Sequence, residues 1–149
     1  MIFIVASILV ILDQCSKYLV THRLGFGQSV SVIPNAFHLT VTSNTGIAFG
    51  LFKGNNTILT FSSIVVIVIL AFFWKRIIPD RLFSGRLAIG LILGGAIGNL
   101  IDRMRFRYVI DFLDFRVWPV FNLADSGITV GALLLFLGLI LGGKKRNGD

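Results

Sequence analysis

Four long apolar runs decide what this chain can become: Ile2 to Val20, Thr57 to Trp74, Leu87 to Met104, and Ala124 to Leu141. Each reaches or approaches the roughly 17–25 residues that a helix needs to cross about 30 Å of hydrocarbon. In a chain of 149 residues they leave no room for a separate soluble domain. The expected architecture is all-α and membrane-integral, a single domain over residues 1–149 built as a bundle of four transmembrane helices. Composition agrees, with 55% of residues hydrophobic and 14% charged, against roughly 45–50% and 25% in soluble domains. The first run differs from a cleavable leader. It lacks a basic n-region, carries Asp13 and Lys17, and is not followed by a small-x-small cleavage site, so it is read as a retained span.

A net charge of +7 would suit nucleic acid if the 14 basic residues formed one stripe, but they gather at the ends of the apolar runs. That pattern is topological, and no nucleic-acid partner is expected. Lys75, Arg76, Arg81 and Arg86 lie between runs 2 and 3, and Lys144, Lys145 and Arg146 follow run 4; these seven share one side when all four runs span. That side is expected to be cytoplasmic, with both termini on it. Arg23, Lys53, Arg103, Arg105, Arg107 and Arg116 make six on the other side, offset in part by Asp102, Asp111 and Asp114.

Between runs 1 and 2, the alternating stretches "SVSVI" and "FHLTVT" flank Pro34-Asn35-Ala36, the pattern of a hairpin with a turn. A small extracytoplasmic β-sheet is therefore expected between helices 1 and 2. Its exit, "NTGIAFGLFKGNN", is apolar but interrupted by Gly46, Gly50 and Gly54, which suits irregular backbone held near the interface by protein or water. On run 3, Gly90, Gly94 and Gly98 recur at every fourth position, a ridge that admits a close neighbouring helix. Gly95, Asn99 and Arg103 form a second line, and Asn122, Asp125 and Thr129 share a face at the start of run 4.

With cytoplasmic termini, Asp13, Lys17, Asn44, Asn99, Arg103, Asn122 and Asp125 all fall toward the outer membrane boundary, while the inner halves of the runs are almost purely apolar. Ionisable groups at such depth cost roughly 2.5–3.5 kcal/mol each on insertion scales and point to function by default. Asp13 and Lys17, four apart with the acid first, suit an ion pair on one helix face. Arg103 can snorkel or pair with Asp102, and Asp114 has Arg116 nearby. Asp111 and Asp125 have no such local cation. Two carboxylates brought together in a desolvated pocket split their titration, and one keeps a proton at neutral pH. This is the chemistry of an aspartic protease, in which the ionised member activates a water and the protonated member hydrogen-bonds the scissile carbonyl. No metal or other cofactor is suggested: His22 and His38 are the only histidines and no Cys or Glu cluster accompanies them. Cys15 is read as small apolar filler. Paired aspartates also suit a small four-helix proton-coupled carrier, although a carrier needs polar residues along its inner halves too; a purely structural membrane subunit leaves the acids without a reason.

Five motifs, "DQCSK", "NTGIAFG", "GGAIGNLIDR", "VIDF" and "FNLAD", occur in an order that resembles the lipoprotein signal peptidases (signal peptidase II) across nearly the whole chain. The resemblance implies a multi-pass aspartic endopeptidase of the bacterial cytoplasmic (inner) membrane, acting near its outer face. Its substrates would be prolipoproteins, cut just before a cysteine that carries a diacylglyceryl group, with membrane lipid as the surrounding partner. It makes Asp111 and Asp125 the catalytic dyad, leaving Asp114 outside the motif. Asn44, Asn99, Arg103 and Asn122 become residues that position the substrate or steady the dyad, with Asp13 and Lys17 a supporting motif.

Overall fold

Seven elements follow one another in the computed structural model, which describes residues 1–46, 55–78 and 83–143. They are α1 (Ile2–Arg23), β1 (Ser29–Ile33), β2 (Phe37–Asn44), α2 (Asn56–Ile77), α3 (Phe83–Phe106), β3 (Val109–Asp114) and α4 (Leu123–Gly143). All four apolar runs are helical and extend beyond the apolar residues at both or one end. The 22 residues of α1 give a length of about 33 Å at 1.5 Å per residue. Three helices, Ile2–Arg23, Asn56–Arg76 and Ser84–Phe106, are long and apolar enough to cross a membrane, and Leu123–Gly138 is a further apolar helix. The chain is a multi-pass membrane protein. Residues 47–54, most of the "NTGIAFGLFKGNN" exit, and the basic positions Arg81, Lys144, Lys145 and Arg146 lie outside the described residues.

α3 is the central post. It packs against α1, α2 and α4, and 56% of its span is buried against 22% for α1 and 11% for α2. The glycine ridge explains how it takes so many neighbours. A Cβ on Gly94 would stand 2.7 Å from the Ala6 carbonyl oxygen and 2.9 Å from its Cα, and one on Gly90 would meet the Ile2 carbonyl oxygen at 2.9 Å. Gly95, one position round, faces the Ala124 backbone of α4 at even closer range. Without side chains at these points the backbones approach closely, which is how helices gain packing energy where lipid supplies no hydrophobic drive. The apolar core, Ile2, Ala6, Leu70, Ile78, Ile89 and Leu93, joins the start of α1, the end of α2 and the start of α3. It occupies the end of the bundle away from the sheet.

The sheet is antiparallel in the order β1-β2-β3. β1 and β2 form the expected hairpin, with Asn35 at φ 60° in its turn, a conformation that asparagine tolerates better than most residues. The third strand corrects the expectation of a sheet confined to the segment between helices 1 and 2. β3 comes from between α3 and α4 and pairs with β2 through Thr42 opposite Asp111 and Asn44 opposite Val109. Every residue of β3 except Leu113 is buried, so both faces are covered and the polar–apolar alternation that marks a half-exposed strand is absent.

The close contact at Gly94 generates a prediction. Gly94→Val forces α1 and α3 apart and lowers stability by about 1–3 kcal/mol, the usual cost of overpacking. Thermal unfolding in detergent checks it, and an unchanged melting temperature would show that the ridge is not a packing requirement.

Candidate active site

The polar residues expected at one level of the membrane do converge, at the sheet end of the bundle. Asp111 sits on β3, 1% exposed. Asn44, the last residue of β2, donates from Nδ2 to its Oδ2 at 2.9 Å. Asn122 donates from Nδ2 to its Oδ1 at 2.7 Å. Asn122 stands just before α4 and is itself fully buried, and its Oδ1 accepts the backbone N–H of Asp125 at 2.9 Å. This is an N-cap, which satisfies one of the donors that a helix start leaves open. A single asparagine thus grips one carboxylate and fixes the turn that carries the other.

Asp125, in the first turn of α4, accepts from Asn99 Nδ2 at 2.7 Å. Asn99 is oriented in turn, because its Oδ1 accepts from Asn122 Nδ2 at 3.1 Å and from Lys17 Nζ at 3.3 Å. With its oxygen occupied by two donors, its amide hydrogens are directed to Asp125. An acid in the first turn also faces the positive end of the helix dipole. Burial pushes the Asp111 carboxyl up to about 7, and the Asp125 carboxylate adds to the rise, while the hydrogen bonds from Asn44 and Asn122 oppose it. The two acids therefore interact, and Asp111 holds a proton over a range in which an ordinary aspartate is ionised.

A cleft of about 780 Å³ opens on Asp125. Asn44, Asn99, Arg103 and Asp125 supply its polar side, and Phe115, Trp118, Val120, Phe121, Ile128 and Val130 give it an apolar wall. A smaller recess of about 310 Å³ holds Asp111 and Thr42 and shares Asn44, Gly46 and Val120 with the cleft. Arg103 thus belongs to the cleft, within the electrostatic reach of Asp125, Asp111 and Asp102.

Asp13 and Lys17 lie behind this surface, 0% and 2% exposed. Their expected ion pair is present at 2.8 Å, but it is not closed on itself: Lys17 Nζ also lies 2.8 Å from Asp102 Oδ2. Asp102 therefore forms its ion pair with Lys17, while its charge also acts on Arg103 one position on. Gln14 joins the cluster by donating to Asp102 Oδ1 at 2.9 Å. Neither residue was expected in this cluster, although Asp102 falls four positions after Gly98 and so continues the glycine ridge that faces α1. Asp114 belongs elsewhere. It accepts from Thr40 Oγ1 at 2.6 Å and from the Arg116 backbone N–H at 2.9 Å, and the Thr40 hydrogen bond holds its carboxyl below the usual range against the opposing effect of burial. Among the described residues no group of three or more His, Cys, Asp or Glu side chains has the arrangement of a metal site.

Apolar helices around interacting carboxylates that open on an apolar cleft define a membrane-embedded enzyme. Two solved structures share the fold. A bacterial membrane enzyme determined by the in meso method at 2.3 Å resolution superposes with a TM-score of 0.85 at 33% identity, over 99% of this chain and 91% of that one. Another, at 1.9 Å resolution, gives a TM-score of 0.80 at 34% identity, over 93% of this chain and 91% of that one. The chain belongs to the signal peptidase II family, whose profile, "Signal peptidase (SPase) II", matches residues 5–141. The lipoprotein signal peptidase of Halothermothrix orenii is 45% identical over the full length of both chains. That of Moorella thermoacetica is 44% identical over 93% of each.

The electrostatics of Asp111 can be read directly. A protonated-carboxyl infrared band is expected to persist well above pH 4 and to disappear as the pH rises through about 7. Its absence from Asp111→Asn would assign it; a band lost at ordinary aspartate pH would contradict the burial argument.

Proposed function

We propose that Asp111 and Asp125 act as the catalytic pair of an aspartic endopeptidase that removes signal peptides from prolipoproteins, cutting before a diacylglyceryl-modified cysteine. The family assignment supports the substrate class, and the single observation that carries the mechanism is the gripping of both carboxylates by one asparagine scaffold, Asn122 with Asn99 and Asn44. In this reading the pair shares one proton. The ionised member takes a proton from a water held between the two, and the water oxygen attacks the carbonyl carbon of the residue before the cysteine. The protonated member gives its proton to the carbonyl oxygen, forming a neutral tetrahedral diol. Collapse breaks the C–N bond as the cysteine nitrogen gains a proton, which frees the signal peptide and leaves the cysteine as a new amino terminus.

The four helices α1–α4 all span in this proposal. The end of α2, the start of α3 and both termini lie on the cytoplasmic side of the bacterial inner membrane, and the sheet lies outside. A substrate anchored by an apolar helix and acyl chains leaves the bilayer only at about 0.8 kcal/mol per exposed methylene, so cleavage has to occur at the membrane surface where the acids sit. The apolar wall of Phe115, Trp118, Ile128 and Val130 suits the lipid tails, and Arg103 at the cleft suits carbonyl oxygens of the substrate.

Asp111→Asn and Asp125→Asn are each expected to abolish cleavage of a diacylglyceryl-modified precursor peptide by the purified protein in detergent, without loss of insertion. Retained turnover in either variant would remove that residue from the pair. Wild-type activity is expected to decline as the pH rises through about 7, where Asp111 loses its proton; a profile flat through that region would separate Asp111 from the proton that catalysis needs. EDTA is expected to leave the rate unchanged, and inhibition reversed by zinc would replace this mechanism with a metal-assisted one.

A further inference from the structure

The buried cluster behind the cleft has a geometry that simple charge neutralisation does not require. Lys17 Nζ bridges two carboxylates, Asp13 Oδ2 and Asp102 Oδ2, each at 2.8 Å. Asp13 uses its other oxygen to accept the backbone N–H of Ala124 at 3.0 Å. Asp102 accepts the backbone N–H of Ile110 at 3.0 Å. Ala124 is the residue immediately before Asp125, and Ile110 is the residue immediately before Asp111. Through these two carboxylates one ammonium thus ties together the amides of the residues immediately before Asp111 and Asp125. The same ammonium reaches Asn99, which donates to Asp125, and Gln14 steadies the arrangement by donating to Asp102 and to the Gly98 carbonyl.

Stability alone does not account for such a cluster. Removing two carboxylates and an ammonium from water costs several kcal/mol per ion, and apolar replacements of similar volume often leave a protein equally or more stable. In a membrane the penalty for ionisable groups is of the same kind. A chain that fills its opposite end with isoleucine and leucine had the apolar alternative available. The gain lies in directionality, because a carboxylate that must satisfy an ammonium and an N–H together fixes both.

We propose that Asp13, Lys17 and Asp102, with Gln14, form a positioning device that sets the separation of Asp111 and Asp125 by holding the Ile110 and Ala124 amides to one shared cation. This rests on the reading of those two aspartates as the reacting pair. Asp102 and Gln14 thereby acquire a role in the reaction although they do not line the cleft. The device acts on the geometry of the pair and leaves the binding wall of the cleft alone, so its loss falls on the chemical step. A misplacement of about 1 Å costs on the order of 100-fold in rate.

The test uses the full-length protein in detergent with a diacylglyceryl-modified precursor peptide and a matching peptide whose scissile bond is replaced by a non-cleavable hydroxyethylene group. Wild-type cleavage, lost in Asp125→Asn, establishes the underlying reading; failure of that control counts against the dyad and is seen before any cluster variant is measured. Lys17→Met and Asp102→Asn are then expected to lower kcat by about 10–100-fold while KM stays within about threefold of wild type. The hydroxyethylene peptide, which engages the pair as the transition state does, is expected to bind more weakly by the same factor as kcat falls. Lys17→Arg, which keeps the cation, is expected to recover part of the rate. Folded variants with wild-type kcat would overturn the proposal, as would losses in kcat that track only the fraction of folded protein. Where either variant cannot be purified folded, Gln14→Leu at the edge of the cluster decides: a lowered kcat at unchanged KM supports the device, and wild-type kcat overturns it.

Discussion

A lysine buried among helices is the interaction on which the polar end of this molecule depends. Lys17 is 2% exposed and has carboxylates on two sides, one from its own helix and one from α3. An ammonium in so dry a place is tolerable only with full charge and hydrogen-bond partners. Satisfying it draws α1 against α3, and satisfying Asp13 draws α4 against both, because Asp13 spends its second oxygen on the first turn of α4. The sheet is tied in by Asp102 through the amide of Ile110. Four elements are therefore held by three ionised side chains, at a level where van der Waals packing alone would leave their depth relative to one another loosely defined.

The glycines make that arrangement sterically possible. A Cβ on Gly98 would lie 2.7 Å from Asp13 Oδ2, and one on Gly131 would lie 2.7 Å from the Ala88 carbonyl. The helices have to approach to backbone contact before short side chains such as aspartate and asparagine can span the gap between them. Close packing and polar bonding are thus successive requirements along the same helix: glycine and alanine at the apolar end, asparagine and aspartate where the polar network begins. The result is a division of the bundle into an aliphatic anchor and a hydrogen-bonded head.

Much of this was legible in the sequence. The helices were, because in hydrocarbon length and apolarity leave little else to decide. The β1–β2 hairpin was, because alternation and a Pro-Asn turn are local features. β3 was not. Val109, Ile110 and Phe112 are all buried and Asp111 and Asp114 are buried with them, so the strand has no polar face to alternate with. The eight residues expected at the site do gather, five lining the cleft and recess and three, Asn122, Asp13 and Lys17, buried behind them. The pairing of Asp102 with Lys17 was not legible, because the two are 85 positions apart on different helices and an ion pair between elements leaves no spacing signature. The place of Asp102 on the glycine ridge was visible, but a ridge read as packing gave no reason to look for a charge at its end. Gln14 was hidden for the same reason, as an uncharged neighbour of a charged pair.

The bond from Asp13 to the Ala124 amide joins residues 111 positions apart, and it links the first helix of the chain to the fourth. During synthesis at the ribosome, α1 enters the bilayer with its carboxylate and ammonium facing each other and nothing else. The start of α4 does not exist to be capped until nearly the whole polypeptide has been made. A partly translated chain therefore has Asp111 without Asp125 and without the anchored turn that carries it. On the proposed pairing of Asp111 with Asp125, hydrolytic competence is deferred until the start of α4 has been made.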